Sequence, residues 1–387
     1  MDDLKYIDYL VLGGGAAGLY AAKAVRDNVS EDILIISNEK LLPYRRPQLT
    51  KDMMGHFNNN EKAVFKSEWF EKNNIKINLD ENIIEINSSE KTVKTDKNLY
   101  KYNKLIYALG AKGFVPPIKG SDLPEVLTIR DTLDIDKLQA LKDKIENVVV
   151  IGGGVLGLES AYEMHKIGKK VTVLEVLPQI MGRQLDLKAS NLLKNVIEKS
   201  GVNIITSANI DKIEGDDKVK GVLLKDGTYI DADMVIVSAG ISSNIELAKN
   251  IGIDCNRAIV VDKYMKTNVN DVYACGDCAE FENINMGLWT EATSMASVAG
   301  ANATGKNNEY HAYLGALTFI GFDTKLFAIG DNGKCEEKQY TTTEKLDEEK
   351  GIYEKLYIVD GILVGAILIG DNSRMGELLS KINKPIK

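Results

Sequence analysis

The chain has 387 residues, enough for two or three domains at about 150 residues each. Its 48 Lys plus Arg against 56 Asp plus Glu leave a net charge of −8, which argues against nucleic acid or an anionic membrane surface as a partner. Hydrophobic residues at 44% and charged residues at 27% give the balance of a folded globular protein and exclude disorder along the whole chain.

The first element is a short apolar run, residues 9–12, that leads into Gly13-Gly14-Gly15-Ala16-Ala17-Gly18. An Ala-rich helical stretch over residues 19–25 and a second apolar run at 33–36 follow. Strand, glycine turn, helix and strand, with G-x-G-x-x-G at Gly13, Gly15 and Gly18, form a dinucleotide-binding fingerprint. The first glycine permits the tight turn, the second lets the backbone approach a pyrophosphate, and the third lets helix and strand pack closely. The N–H groups at the helix start then face the phosphates.

The pattern recurs further along. A strand over residues 148–151 precedes Gly152, Gly154 and Gly157, with Leu156 inside the turn, and a helix is expected over 158–167. The next strand, 171–174, ends in Glu175, an acid placed to accept hydrogen bonds from both ribose hydroxyls. It would repel a 2′-phosphate, and no Arg or Lys follows before Arg183, so NADH is expected over NADPH. Two dinucleotide sites in one chain suggest FAD plus NADH.

Between and after these copies the chain resembles the FAD-dependent pyridine nucleotide oxidoreductases. The carrying segments are residues 104–110, ending in Ala108-Leu109-Gly110; 234–240, a similar return strand ending in Gly240; 272–277, ending in Cys275-Gly276-Asp277; and Leu288-Trp289-Thr290. The resemblance implies that Ala108, Gly110 and Asp277 contact FAD and that Trp289 covers one flavin edge. Leu109 stands where the family usually has Thr. The family's disulfide reductases carry cysteines near the start of the FAD domain, whereas this chain has none before Cys255, which excludes thiol–disulfide exchange of that type.

In that place stands Leu42-Pro43-Tyr44-Arg45-Arg46-Pro47-Gln48-Leu49-Thr50-Lys51. This run is similar to the branch holding NADH:rubredoxin oxidoreductases, ferredoxin reductases, the flavin part of NADH-dependent nitrite reductase and apoptosis-inducing factor. The resemblance implies that Arg46 contacts the FAD pyrophosphate, that Lys51 lies at the flavin N5 side, and that Glu159 pairs with Lys51. A lysine there favours the anionic reduced flavin, and the acid offsets its charge. Asn38 or Glu39 would bind the FAD ribose, and Ile84 resembles the backbone contact to adenine. Tyr44 has no assigned chemistry beyond packing.

Past Gly305 the pattern changes. Residues 318–331 read as a strand and a turn, residues 353–359 and 362–369 as a hairpin around Asp360-Gly361, residues 336–350 as an exposed loop or edge, and residues 375–382 as a closing helix. The expected fold is α/β: two Rossmann-like dinucleotide-binding domains plus a small C-terminal α+β domain. The FAD domain would be discontinuous, 1–115 and 245–310, with the NADH domain 116–244 inserted, and 311–387 serving acceptor docking or shielding. Whether the chain is a monomer or a homodimer stays open.

Four cysteines, Cys255, Cys275, Cys278 and Cys335, are too few for a disulfide scaffold and fit a reducing, cytoplasmic setting. The N-terminus, with Asp2 and Asp3, lacks the basic region of a signal peptide. The longest apolar stretch, residues 361–370, is half the roughly 20 residues of a membrane span. Cys275 and Cys278 form a C-x-x-C that reads as a redox pair, half a zinc site, or small residues filling a packed turn, the last being favoured. His56, His165 and His311 show no metal-ligand spacing, so no metal is expected.

The function expected is transfer of electrons from NADH through FAD to a small one-electron redox protein, with rubredoxin first among the acceptors. The rival readings are an NADH oxidase acting on oxygen, a nitrite reductase flavin subunit, and an NADH-sensing flavoprotein.

Overall fold

The computed structural model describes residues 4–58, 61–312 and 315–386. The chain divides into two compact units. One comprises Met1–Pro47, His56–Lys112 and Ile241–Tyr313; the other comprises Gln48–Gly55, Gly113–Gly240 and Leu314–Lys387.

The first unit is built on a parallel sheet whose strands run in the order Ile75–Asn78, Ile33–Ile36, Leu4–Leu12, Leu99–Tyr107. The free side of Leu99–Tyr107 is shared. Val272–Ala274 pairs in parallel with its C-terminal half, while Thr92–Thr95, itself paired with Ile83–Asn87, runs antiparallel to its start. Ile33–Ile36 is buried at all four positions, the unbroken apolar run that a parallel strand covered on both faces requires. The helices Ala16–Arg26 and Trp289–Ala303 pack together. Small residues permit the close approach: a Cβ on Gly300 would stand 2.3 Å from the Ala21 carbonyl oxygen.

The second unit repeats the plan. Its parallel sheet runs Asn203–Thr206, Lys170–Glu175, Asn147–Ile151, Met234–Val237, Val126–Leu127. The helix Val155–Lys166 connects Asn147–Ile151 to Lys170–Glu175, and a three-stranded antiparallel sheet, Ile210–Gly215, Val219–Leu224 and Tyr229–Asp231, follows.

The C-terminal part of this unit is a five-stranded antiparallel sheet closed by the helix Met375–Lys381. Asp360 and Gly361 both take positive φ, the two-residue turn that the D-G pair favours. The strand-and-turn reading of residues 318–331 is incomplete. The structure forms a hairpin, Ala316–Gly321 with Thr324–Gly330, whose two-residue turn is Phe322–Asp323, both at positive φ. A phenylalanine rarely adopts that conformation, so no turn signal is legible there. Thr341–Asp347, inside the stretch expected as loop or edge, is an exposed edge strand. Asp186 fastens this sheet to the rest of its unit. Its Oδ2 accepts from the Tyr353 and Tyr357 hydroxyls and from Lys355 Nζ, each at 2.8 Å, and its Oδ1 caps the helix Leu187–Lys199 through the Ala189 amide.

Candidate functional site

The two glycine turns are near-copies. Gly13 and Gly152 take φ of +113° and +117°, and each donates its amide to a carbonyl near the end of the neighbouring strand, Ile36 or Leu174, at 2.8 Å. A Cβ on Gly13 would meet the Ala108 carbonyl oxygen at 2.2 Å, and one on Gly152 would meet that of Ser238 at 2.3 Å. A Cβ on Gly18 or Gly157 would be closer still, 1.8 Å and 2.0 Å from the carbonyl oxygens of Gly13 and Gly152. Packing inside the chain explains these four glycines.

It does not explain Gly15 and Gly154. Both have ordinary negative φ, and a Cβ on either would meet nothing within 4 Å. They stand at the N-termini of the helices Ala16–Arg26 and Val155–Lys166, where free N–H groups face outward. A site whose only reason for glycine is open space beside helix amides fits a pyrophosphate, and both copies have it. Gly110 and Gly240, at the matching ends of the return strands, have open space too, but at positive φ. Leu156 is exposed on the second helix, and Ala17 is buried on the first.

The second strands of the two copies end differently. Gly153 faces Glu175, whereas the corresponding Gly14 faces Ser37. Glu175 is buried, accepting the Gly153 amide on Oε2 at 2.7 Å and the Leu177 amide on Oε1 at 2.8 Å. In the first copy the acid comes two residues later. Glu39 is half-buried, pairs with the Arg46 guanidinium, and accepts the Tyr44 hydroxyl on Oε2 at 2.6 Å. Arg46 also stacks over the Tyr44 ring, 5.2 Å from its centroid. Tyr44 thus has chemistry beyond packing, which the sequence did not reveal. Asn38 is exposed.

The remaining residues expected at the FAD site also lie in the first unit. Ala108 is buried, its amide bonded to the Leu12 carbonyl at 2.8 Å. Asp277 sits in the turn Gly276–Cys278, its carbonyl accepting from Ser243 and Asn285. Trp289 is half-buried at the start of its helix, and Ile84 is exposed. Cys275 and Cys278 are fully buried. Burial pushes both thiols up, Cys278 to about 12, so neither is a ready thiolate at neutral pH.

Lys51 and Glu159 both belong to the second unit. Lys51 Nζ lies 3.5 Å from Glu159 Oε1, and the Thr50 hydroxyl donates to Oε2 at 2.5 Å. Glu159 is only 4% exposed, while the Lys51 side chain is 51% exposed. Burial pushes the Glu159 carboxyl above its ordinary range. Thr50 and Lys51 oppose that, and Glu163 adds to it. Sequence reasoning missed Thr50 and Glu163, although Glu163 follows Glu159 at i+4 on the same helix.

A family model described as pyridine nucleotide-disulphide oxidoreductase matches residues 7–303. The chain belongs to the pyridine nucleotide-disulphide oxidoreductase family. That family is FAD-dependent and uses NADH, and the two cradles fit those two dinucleotides. A second model, the rubredoxin NAD+ reductase C-terminal domain, matches residues 317–386. A nitrite reductase (NAD(P)H) of Bacillus subtilis is 34% identical over 97% of this chain and 47% of its own length. The chain spans about half the length of the curated relatives first matched. An NADH-rubredoxin oxidoreductase of Clostridium acetobutylicum is 31% identical over 98% of this chain and 94% of that protein. Among solved structures, NADH:rubredoxin oxidoreductase from Clostridium acetobutylicum superposes with a TM-score of 0.81 at 29% identity, covering 99% and 96% of the two chains. Unlike the disulfide-exchanging members of the family, this one has no cysteine before Cys255. Among the described residues no helix is long and apolar enough to cross a membrane, and no three or more His, Cys, Asp or Glu side chains cluster so as to hold a metal ion.

Proposed function

We propose that this protein passes electrons from NADH through FAD to a small one-electron redox protein, with rubredoxin as the acceptor. The observation that carries the reading is the match of residues 317–386 to the C-terminal domain of rubredoxin reductases, joined to a dinucleotide-binding match over residues 7–303. The 94% coverage of the Clostridium acetobutylicum relative supports it, since that protein has little beyond what this chain has.

FAD, when bound, accepts two electrons at once and can release them singly. The chain's own residues bind and orient. Amides at the start of Ala16–Arg26 and the open face of Gly15 hold the FAD pyrophosphate, with Arg46 adding charge and Glu39 accepting the ribose hydroxyls. Gly154 and the start of Val155–Lys166 do the same for NADH, and Glu175 accepts from its ribose. Lys51 supplies a positive charge at the flavin N5 side, and Glu159 Oε1 balances it. Thr50 holds Glu159 Oε2 by donating its hydroxyl proton. Ala108, Gly110, Asp277 and Trp289 complete the FAD contacts, with Ile84 at the adenine.

The test is anaerobic stopped-flow reduction with NADH, followed by mixing with oxidised rubredoxin. Fast bleaching and then reoxidation by rubredoxin, much faster than by air, is expected. Bleaching without reoxidation by rubredoxin would overturn the acceptor.

A second reading has its own support. The nitrite and nitrate reductase relatives align with 97% of this chain but only about half of themselves. A flavin module handing electrons to a separate nitrite-reducing partner would share the NADH half-reaction and fail the rubredoxin step.

A further inference from the structure

The helix Val155–Lys166 carries a second carboxylate that the reading above leaves unused. Glu163 lies one turn beyond Glu159, so the two share a face, with Cβ atoms about 5–6 Å apart. Glu163 is 5% exposed, and its carboxylate pairs with Lys166 Nζ at 2.8 Å. Both acids and Lys166 line a cavity of about 220 Å³ shared with Thr50, Lys51 and Thr318.

This arrangement works against stability. Like charges one turn apart repel, and burial removes the solvent that would screen them. A neutral side chain at 163 would relieve the repulsion but leave Lys166 without this carboxylate. Buried like-charged pairs in a cleft are the usual means of shifting an acid for a task.

We propose that Glu163, held by Lys166, is a positioning residue that sets the protonation of Glu159, and with it the pH below which the Lys51–Glu159 pair is lost. The inference rests on the roles proposed above for Lys51 and Glu159.

The groups facing Glu159 can be named by element. Thr50 and Lys51 come from the segment Gln48–Gly55, and Asp52 of that segment acts on Lys166. Tyr162, Glu163 and Lys166 come from its own helix, and Lys166 also lies over the Tyr162 ring. The strand Ala316–Gly321 contributes Thr318 and Ile320, neither of them charged. His165 packs against Phe322, ring centroids 6.0 Å apart.

The signs follow. Ionised Glu163 discourages a second negative charge on Glu159, and the Lys166 ammonium opposes it. Neutralising Glu163 leaves the ammonium alone, so Glu159 ionises at lower pH. Neutralising Lys166 leaves Glu163 uncompensated, so Glu159 ionises at higher pH.

The experiment follows the Glu159 carboxyl by carbon NMR in FAD-loaded protein carrying isotope-labelled glutamate, its signal assigned by its loss in Glu159→Gln. The midpoint is expected to fall by about one pH unit in Glu163→Gln and to rise by about as much in Lys166→Met. The pH profile of FAD reduction by NADH should move in the same two directions. No shift, shifts of the same sign, or a titration shift without movement of the profile would overturn the proposal. If Glu163→Gln does not fold, Lys166→Met decides alone, because Lys166 is about half exposed: a rise supports the proposal and any other result overturns it. No acceptor protein takes part, so failure of the rubredoxin step and failure of this inference are read separately.

Discussion

Glu175 reaches back across the glycine turn to the Gly153 amide at 2.7 Å, so the acid that would select the ribose also orders the loop that would hold the pyrophosphate. Glu175→Ala should therefore weaken NADH use about tenfold to hundredfold, the worth of one or two hydrogen bonds to a charged acceptor, and weaken NADPH use less, through the loop alone. The ratio of kcat/KM for the two nucleotides measures it. An unchanged ratio would remove Glu175 from nucleotide selection.

The glycines separate binding from folding. Gly154→Ala fills open space, so the variant should unfold within about 1 kcal/mol of the parent yet lose affinity for NADH. Gly157→Ala drives a methyl to 2.0 Å from the Gly152 carbonyl oxygen and should cost about 1–3 kcal/mol or prevent folding. Gly15→Ala and Gly18→Ala should divide in the same way for FAD. Thermal unfolding with nucleotide titration checks all four.

Glu159 gives stability a definite slope with pH. Its folded pKa lies above the ordinary 4.5, chiefly through burial, so the folded state holds a proton that the unfolded state has released. Its contribution is complete below about 4.5 and is lost as pH rises through the folded value. In urea unfolding, Glu159→Gln should gain on the parent between acid and neutral pH. A constant difference across that range would contradict the burial argument.

Asp186 slopes the other way. Burial pushes its carboxyl up, but Lys355, the Ala189 amide and the two tyrosine hydroxyls outweigh burial and hold it below 3.8. Its stabilisation is present above that value and disappears as pH falls through the folded value. Asp186→Asn should cost about 2–4 kcal/mol at neutral pH, with the deficit shrinking in acid. Urea unfolding at two pH values tests it.

The legible features were local ones. Gly13 and Gly152 announce themselves because a tight turn after a buried strand admits little else, and Asp360-Gly361 marks its hairpin for the same reason. Thr50 and Glu159 are 109 positions apart, and no local pattern predicts their hydrogen bond. The pairing of Glu39 with Arg46, beside an exposed Asn38, was not legible, since neighbouring loop residues carry no local sign of their partners. The ties from Tyr353, Lys355 and Tyr357 to Asp186 were invisible too, because an alternating strand pattern marks which residues share a face and not what the face meets.

The burial of Cys275 and Cys278 makes them a clock. Their sulfurs meet a small alkylating reagent only when the core around Val272–Ala274 opens, whereas Cys255 and Cys335 are partly exposed in the closed state. When reclosing outpaces the reagent, the lag between the two labelling phases reports the free energy of that opening, residue by residue and without denaturant. Comparing the lag with and without nucleotide would show how tightly a bound dinucleotide locks the sheet beneath it.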